Sequence, residues 1–283
     1  MKKIRRKSER EVLTWHGEKE VPYFTFPSFE KLPEIVHGFS SRLGGVSEGC
    51  RSSMNLSFSR GDEPERVREN FRRMAESIGF SEENLVFSMQ THTTNVCRVG
   101  KEDCGRGLLR PVGYRDVDGL VTNEPEVVLA TFYADCVPLY FVDPVHRAIG
   151  MSHSGWKGTV GKMGAATITA MKREFGTEAK DLVCAIGPSI CQDCYEVSED
   201  VADAFKEAFP GHADEILLDK KNGKYQLDLW RANEIVLTEA GVLKEKIAVT
   251  NICTCCNPDL LFSHRASHGK RGNLGAFIYL RNA

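Results

Sequence analysis

The stretch DGLVTNEPEVVLATFYADCVPLYFVDPVHRAIGMSHSGWKGTV (residues 118–160) decides the fold. It is rich in β-branched and aromatic residues and is broken by short polar turns, which predicts strands in direct succession. The predicted strands are Gly119–Thr122, Val127–Tyr133, Pro138–Val142 and Ala148–Ser152. Because no segment of helical length separates them, strict βαβ alternation fails. The stretch therefore favours an α+β fold with mixed sheets covered by helices.

The flanking sequence adds more strands and several helices. The further predicted strands are Ile35–Phe39, Leu85–Met89, Asn95–Val99, Leu182–Ile186, Ile247–Ile252 and Ala276–Leu280. Helices with one apolar face are predicted after the caps Asp62, Ser198 and Asp228, and from Val160 to Phe175. No repeat or flexible linker interrupts the chain. We expect residues 1–283 to form a single domain, with residues 1–34 a basic N-terminal extension and leading strand.

Composition and charge limit the class of protein. The chain has 283 residues and a net charge of −2, so no overall basic field favours a nucleic-acid partner. The first ten residues, MKKIRRKSER, carry six Lys or Arg, but no apolar secretory segment follows them. The longest apolar run, Val127 to Val142, is interrupted by Asp135 and falls short of the ~20 residues of a membrane helix. We expect a cytoplasmic protein with no membrane partner.

Cysteine is unusually frequent, with 10 residues in the chain. Without an export signal, reduced thiols, some buried and some bound to metal, are favoured over disulfides. The segments Cys191-Gln192-Asp193-Cys194 and Cys253-Thr254-Cys255-Cys256 suggest a second metal or redox site, and two cysteine pairs from them would suit a four-cysteine zinc site if they met in space. Their separation is far longer than in zinc ribbons, and free thiols remain the alternative.

Three predicted strands each lead into a residue that can bind a metal. These residues are His92, Cys136 and His153. Side chains at the ends of strands are held by a rigid sheet, so we expect the three to converge. Two His and one Cys can serve as the protein ligands of a catalytic zinc, whose fourth position stays open for water or substrate.

The same residues leave other chemistries open. Cys136 and His153 alone would suit a thiolate–imidazole pair for nucleophilic hydrolysis. Two His and one Cys are also the equatorial ligands of a blue-copper site. With 8 His and no His-x-His pair, the chain lacks the imidazoles of the usual multicopper centre. Spacing alone also fits two hydrogen-bonded loop histidines and a buried thiol.

Several polar residues are candidates for substrate binding. The glycine-rich turn after His153, with Lys157 and Gly158, offers backbone N–H groups to an anion such as phosphate, and it also fits a tight structural turn. Arg42 would suit a phosphate or a purine edge. The remaining candidates are Asn55, Gln90, His264 and Arg265.

Segments along the chain resemble the bacterial multicopper-polyphenol-oxidase-like, or laccase-domain, family. The matching segments are HGFSSRLGGVSEG (37–49), MNLSF (54–58), GD…VRENFRR (61–73), QTH (90–92), DGLVTNEPEVVLATFYADCVPLYFVDP (118–144), IGMSHSGWKGTV (149–160), IGPSI…CYEV (186–197), CTCCNPDLLFSHR (253–265) and GKRGN (269–273). They recur in order over about residues 35–283, which makes the resemblance specific. One departure is Ser154, where the family usually has Ala in His-Ala-Gly-Trp.

The resemblance implies a layered α/β/β/α sandwich and a zinc site formed by His92, Cys136 and His153. It implies phosphorolysis of adenosine, inosine and methylthioadenosine and deamination of adenosine, with a purine nucleoside and phosphate as partners. Cys136, Asp135 and Arg42 are then the expected catalytic residues. The alternatives are a copper-dependent polyphenol oxidase and a factor that edits peptidoglycan precursors. The His-x-Glu and Pro-Cys-x-x-Cys signature of nucleobase deaminases is absent, so deamination would need another arrangement.

Overall fold

The computed structural model describes residues 4–282, and Met1 to Lys3 and Ala283 lie outside the described residues. The described chain forms fifteen strands and seven α-helices. The strands are β1 (Thr14–Trp15), β2 (Tyr23–Thr25), β3 (Ile35–Ser40), β4 (Leu85–Phe87), β5 (Val96–Arg98), β6 (Gly119–Thr122), β7 (Val128–Tyr133), β8 (Val137–Asp143), β9 (Ala148–Ser154), β10 (Val183–Ile186), β11 (Glu196–Ser198), β12 (Leu217–Asp219), β13 (Lys224–Leu227), β14 (Ile247–Val249) and β15 (Leu274–Leu280). The helices are α1 (Pro27–Glu30), α2 (Pro64–Ile78), α3 (Trp156–Val160), α4 (Met163–Phe175), α5 (Glu199–Ala208), α6 (Ala213–Ile216) and α7 (Leu229–Glu239).

Two mixed sheets of six strands form the centre of the protein. The first sheet has the order β1-β2-β3-β15-β7-β4 and the second has the order β14-β10-β8-β9-β6-β5. Most neighbouring strands are antiparallel, but β4 and β7, β5 and β6, and β10 and β14 are parallel pairs. A small antiparallel sheet, β11-β13-β12, lies outside the two. The predicted α+β class with mixed sheets is confirmed.

Strand β8 shows why the two sheets stack. Every residue of β8 is buried. Since side chains alternate along a strand, Tyr140 and Val142 join the core between the sheets, while Leu139 and Phe141 join a second core that includes residues of α4 and α7. On the other side, Phe71 of α2 packs in a third core with residues of the first sheet. The layers therefore run helix, sheet, sheet, helix, as the resemblance implied.

Strand positions follow the sequence prediction, and their ends differ by a few residues. Strand β6 matches the predicted Gly119–Thr122 throughout. Strand β9 was predicted to end at Ser152, but its pairing with β8 continues to Ser154. His153 therefore lies inside a strand rather than after one, and its backbone is fixed by the sheet.

One predicted helix was wrong at its beginning. The apolar pattern predicted a helix from Val160 to Phe175, but α3 ends at Val160 and α4 begins at Met163. The break falls at Gly161 and at Lys162, which has a left-handed φ of 60°. Periodicity alone does not reveal such a change of direction.

The predicted helix caps are partly confirmed. Asp228 caps α7, and its side chain accepts a hydrogen bond from the N–H of Arg231. Ser198 is at the N-cap position of α5, without a side-chain cap bond. The prediction for α2 was one residue off, since Glu63 rather than Asp62 is its N-cap. The Asp62 carboxylate instead accepts a hydrogen bond from Asn55 Nδ2 at 2.8 Å.

The N-terminal segment is packed on the body of the protein. Strands β1 and β2 extend the first sheet beyond β3. The N–H of Arg5 donates to Asn257 Oδ1 at 2.8 Å, and the N–H of Lys7 donates to the carbonyl of Asn251. Across residues 4–282, no helix has both the length and the apolar character needed to span a membrane.

Candidate functional site

His92, Cys136 and His153 come together at one end of the second sheet. His153 is in β9, Cys136 precedes β8, and His92 lies in the loop after β4. Their ligand-capable atoms all lie within 4.8 Å of one another, and Cys136 Sγ is 4.0 Å from His92 Nε2. The expected convergence is confirmed, and we call these three residues the open centre.

The carboxylate of Asp118 organises the open centre. Its Oδ1 lies 2.8 Å from His153 Nδ1 and accepts a hydrogen bond from the N–H of His92 at 3.1 Å. Its Oδ2 accepts from the N–H groups of Thr91 and Thr93. Because Nδ1 of His153 is engaged in this way, Nε2 is the nitrogen left for a metal. Sequence reasoning missed Asp118, whose one signal is its place before β6, the strand beside β9.

Hydrogen bonds keep Asp118 ionised. Burial alone would raise the pKa of this carboxyl, but the hydrogen bonds from His153 and from the backbone N–H of Thr93 lower it to about 2. A buried negative charge beside an imidazole fixes the orientation and the tautomer of the ring.

Charge also favours the thiolate of Cys136. Burial would raise the pKa of its thiol, but the charges and hydrogen bonds of His153 and His92 outweigh burial and lower the pKa to about 6. Burial would lower the pKa of His153, and the neighbouring Cys136 and Asp118 raise it to about 9. The thiolate is the form of cysteine that binds metals and acts as a nucleophile, and this arrangement supplies it at neutral pH.

Two residues beside the centre have left-handed backbone conformations. His92 has a φ of 68° and Asp135 has a φ of 85°. Such conformations are unfavourable for residues with a side chain and persist where surrounding bonds impose them. Asp135 is held by Thr254 Oγ1 at 2.6 Å and by the N–H of Arg265 at 2.7 Å, both donating to its carboxylate. These bonds fix the turn that carries Cys136.

The glycine-rich turn packs directly against the open centre. A Cβ placed on Gly155 would lie 2.9 Å from His92 Cδ2 and 3.1 Å from Cys136 Sγ. A side chain at position 155 would press on both His92 and Cys136, so glycine is required there. Lys157 is exposed with its Nζ 5.6 Å from the Trp156 ring centroid, and Gly158 is buried within α3. Neither is among the described residues that line the cleft.

A cleft of about 420 Å³ opens beside the centre and includes all three of its residues in its wall. That volume suits a small-molecule ligand. One part of the wall is apolar and is formed by Leu56, Phe58, Phe87, Met89 and Phe132. The polar part includes Arg60, Ser88, Gln90, Arg271 and Asn273. The cleft thus combines an aromatic surface, two guanidinium groups and the open centre.

The two arginines of the cleft were not singled out from the sequence. Arg271 donates to the carboxamide oxygen of Asn273, and its buried Nε has no hydrogen-bond partner in the described chain. Burial and the charge of Arg60 lower the pKa of Arg271 to about 10. Arg60 forms no ion pair with any of residues 4–282. Two neighbouring guanidinium groups with spare donors favour an anionic ligand. Arg271 lies in the GKRGN segment, which contributed to the family resemblance but did not by itself indicate a ligand-binding residue.

Arg42 and Asn55 lie outside the cleft wall. The guanidinium of Arg42 donates to the carbonyls of Ser52 and Pro258 and stacks 4.5 Å from the centroid of the Phe262 ring. Its donors thus hold two loops together. Asn55 is fully buried, and its Oδ1 accepts from the N–H of Asn273 at 3.0 Å. It braces a residue of the cleft.

The other candidates are distributed around the cleft. Gln90 lines it, and its side-chain amide exchanges two hydrogen bonds of 2.7 Å with the backbone of Phe132. His264 is exposed in a turn, with its Nδ1 3.5 Å from Arg271 Nη2. The side chain of Arg265 donates to the carbonyls of Cys194 and Glu196.

Ser154, the departure noted in the sequence, points its hydroxyl toward α7. Its Oγ donates to Asn233 Oδ1 at 2.9 Å and lies 3.0 Å from Thr159 Oγ1. The hydroxyl thus links β9 to α3 and α7.

Known proteins are similar to this chain in sequence and in fold. The family model described as "Multi-copper polyphenol oxidoreductase laccase" matches residues 36–281. The chain is 36% identical over 251 residues to "Purine nucleoside phosphorylase YlmD" of Bacillus subtilis (strain 168), covering 88% of this chain and 90% of that protein. It is 36% identical over 241 residues to "Purine nucleoside phosphorylase LACC1" of Homo sapiens, covering 82% of this chain and 53% of the human protein. The crystal structure of YlmD from Geobacillus stearothermophilus superimposes with a TM-score of 0.90 at 33% identity, covering 96% of this chain and 100% of that one. The chain therefore belongs to the multi-copper polyphenol oxidoreductase laccase family.

Proposed function

We propose that the protein is a zinc-dependent purine nucleoside phosphorylase that uses adenosine, inosine and methylthioadenosine, and that it also deaminates adenosine. The observation that carries the proposal is one cleft with an aromatic wall, two arginines and the open centre. Relatives that cover most of the chain are named purine nucleoside phosphorylases, which supports the same reaction.

The donor set of the open centre fits zinc. Two imidazole nitrogens and one sulfur lie within 4.8 Å of one another, and His153 has the buried carboxylate partner that metal-binding histidines typically have. The lowered pKa of Cys136 makes the thiolate available at neutral pH. A zinc ion bound here would supply Lewis-acid polarisation of an oxygen at its fourth position.

The aromatic wall suits the purine base. The rings of Phe87 and Phe132 lie 4.8 Å apart, and Phe58 continues the wall toward Arg60. A purine packed on such rings gains about 1–3 kcal/mol of stacking free energy. The base is thereby separated from the polar part of the cleft.

Arg60 and Arg271 are the phosphate ligands in this proposal. In phosphorolysis a phosphate oxygen attacks C1′ of the ribose, the bond from C1′ to the purine nitrogen breaks, and the base leaves with a proton. Guanidinium groups hold the attacking phosphate and stabilise its charge near the developing ribosyl cation. We give Asp135 a positioning role, because both of its carboxylate oxygens already accept hydrogen bonds from Thr254 and Arg265.

Product analysis tests the reaction. The purified, zinc-loaded protein is incubated with adenosine with and without phosphate, and the products are separated by chromatography. Adenine and ribose 1-phosphate that appear only with phosphate establish phosphorolysis, and inosine establishes deamination. Arg60→Ala and Arg271→Ala should each raise the KM for phosphate about tenfold or more, whereas Arg173→Ala on α4 should not.

Absence of both products from zinc-loaded protein would contradict the proposal. Two His and one Cys also suit copper, so the same preparation is loaded with copper and assayed with a phenol. Phenol oxidation without nucleoside cleavage would favour a polyphenol oxidase.

We infer a cytoplasmic location for this enzyme. All ten cysteines are free thiols in the structure, as a reducing compartment would keep them. Fractionation of the producing cell followed by immunodetection tests this inference.

A further inference from the structure

A second group of metal-capable side chains lies outside the cleft wall. The Sγ atoms of Cys191, Cys194, Cys253 and Cys256 all lie within 4.8 Å of one another. Cys256 Sγ is 3.5 Å from Cys194 Sγ and 4.0 Å from Cys191 Sγ. Cys191 and Cys253 are buried, and the other two are half-buried. The condition set from the sequence, that the two Cys-x-x-Cys pairs meet in space, is fulfilled.

The sheet explains how residues so far apart in sequence meet. Strands β10 and β14 are parallel neighbours, so the loops that follow them leave the sheet at the same end. The pairing continues past the strands through a bridge between Ser189 and Cys253. One Cys-x-x-Cys pair follows each strand, and the two loops therefore face each other.

Backbone hydrogen bonds within the cluster suit a thiolate at Cys253. The N–H groups of Cys191 and Cys256 point at Cys253 Sγ, at 3.2 and 3.4 Å. Bonds from N–H groups to sulfur stabilise the ionised form of a cysteine. Lys7 ties the N-terminal segment to the first loop of the cluster, because its Nζ lies 2.8 Å from the carboxylate of Asp193 between Cys191 and Cys194.

We propose that these four cysteines bind one zinc ion in a closed, structural site. Four thiolates placed tetrahedrally ~2.3 Å from zinc have sulfurs ~3.8 Å apart. Two sulfur–sulfur distances of the cluster, 3.5 and 4.0 Å, bracket that value. A disulfide needs sulfurs ~2.05 Å apart. An iron–sulfur cluster holds its thiolates around a larger core, so its cysteine sulfurs are more widely spaced than these.

The closed site would also position the open centre. Thr254, between Cys253 and Cys256, donates from Oγ1 to Asp135 at 2.6 Å. Ile190, next to Cys191, donates its N–H to the carbonyl of Asp135 at 3.0 Å. Both loops that the zinc joins therefore hold Asp135, the residue before Cys136. This role does not depend on which reaction the cleft performs.

Zinc content of the full chain tests the site. The protein is produced with zinc, freed of any affinity tag, and analysed by mass spectrometry of its metals. We expect about two zinc ions per chain in the natural protein, and about one in Cys194→Ser/Cys256→Ser and in Cys136→Ala. Cys255→Ser is the matched control, because Cys255 lies between two of the proposed ligands but outside the four-cysteine cluster, and it should retain about two.

If the double variant Cys194→Ser/Cys256→Ser does not fold, X-ray absorption at the zinc edge still tests the site, because it counts the sulfur neighbours of zinc in the other proteins. Zinc in Cys136→Ala should show about four sulfur neighbours, and zinc in the natural protein about 2.5 on average over the two sites. The proposal is overturned by a single zinc that Cys136→Ala removes, by a sulfur count near one, by iron with acid-labile sulfide, or by disulfides among the four cysteines.

Discussion

The open centre and the four-cysteine cluster lie at the same end of the second sheet, where β9, β10 and β14 finish and β8 begins. The open centre offers three donors and borders a cleft. The cluster offers four donors and lies outside the cleft wall. Catalytic zinc sites keep a position for substrate or water, and structural sites fill it with protein. If both proposals hold, one end of one sheet carries both kinds of zinc site, and the number of donor residues distinguishes them.

The two regions also differ in what holds them. The open centre has left-handed residues at His92 and Asp135, and it depends on the buried carboxylate of Asp118. The cluster is formed by two short turns whose N–H groups point at a sulfur. The left-handed conformations beside the open centre are of the kind that is common at functional sites.

Removing one ligand from the open centre and two from the four-cysteine cluster should give opposite results. Cys136→Ala should reduce turnover on the order of 10³-fold or more, because the thiolate borders the cleft, with little change in melting temperature. Cys194→Ser/Cys256→Ser should lower the melting temperature by several degrees and reduce turnover less. Steady-state kinetics and calorimetry on both variants measure the contrast, and full activity in Cys136→Ala would falsify the proposed role of the open centre.

Asp118→Asn should weaken zinc binding at the open centre alone. The amide loses the negative charge beside His153 and accepts the loop N–H groups less well, which corresponds to a 10–100-fold loss of affinity. Competition with a fluorescent chelator measures it. Asp116→Asn is the matched control, since Asp116 accepts from Thr91 Oγ1 at 2.7 Å without bonding a proposed ligand. Equal affinities in the two variants would mean that Asp118 does not tune the metal.

The sequence revealed candidates that lie at strand ends. His92, Cys136 and His153 each follow or end a predicted apolar segment, and a sheet fixes where such segments end. Asp118, Arg60 and Arg271 carry no such signal, because a lone charged residue before a strand or in a turn is usually solvated. Their roles depend on tertiary contacts.

The four-cysteine cluster shows the same limit. Each Cys-x-x-Cys pair was visible in the sequence, but the pairing of β10 with β14 was not. Strand order decides whether two distant loops face each other, and local patterns do not specify strand order. The missed strands β11, β12 and β13 have only three or four residues each, which is too short for an alternating pattern to reveal them.

Gly155→Ala should disturb the open centre by contact. The added Cβ meets His92 and Cys136 at 2.9 and 3.1 Å, so a proposed ligand has to move. We expect about a tenfold loss of zinc affinity there, with no change at the cluster. A Cβ at Gly158 meets its nearest atom, the His153 carbonyl, at 3.5 Å, so Gly158→Ala should retain the metal. A raised KM for phosphate in Gly158→Ala would show that the glycine-rich turn binds phosphate, as the sequence suggested. Unchanged zinc affinity in Gly155→Ala would show that the added Cβ does not displace His92 or Cys136.

Part of the acid sensitivity of the fold should come from His37, which lies in β3 of the first sheet and belongs to neither cysteine-containing centre. His37 is buried in β3, and its Nε2 accepts from the N–H of Phe26 at 2.6 Å. Burial, with a smaller contribution from His16, lowers the pKa of His37 to about 3. In the unfolded chain the imidazole takes up a proton near its ordinary pKa of about 6.5, whereas in the folded chain it stays neutral. The unfolded state therefore binds more protons between these values, and stability falls as the pH decreases below 6.5.

The loss of unfolding free energy from His37 should be about 1 kcal/mol between pH 6.5 and 5.5. His37→Gln keeps an acceptor for Phe26 but has no titration, so its stability should fall less over this interval. Urea unfolding of both proteins with saturating zinc measures the difference. Zinc release in acid affects both proteins alike, so it cancels when their pH dependences are subtracted. Identical pH dependences in the two proteins would show that His37 contributes nothing. The acid sensitivity would then have to come from other titrating groups, including the thiolates of the open centre and of the four-cysteine cluster.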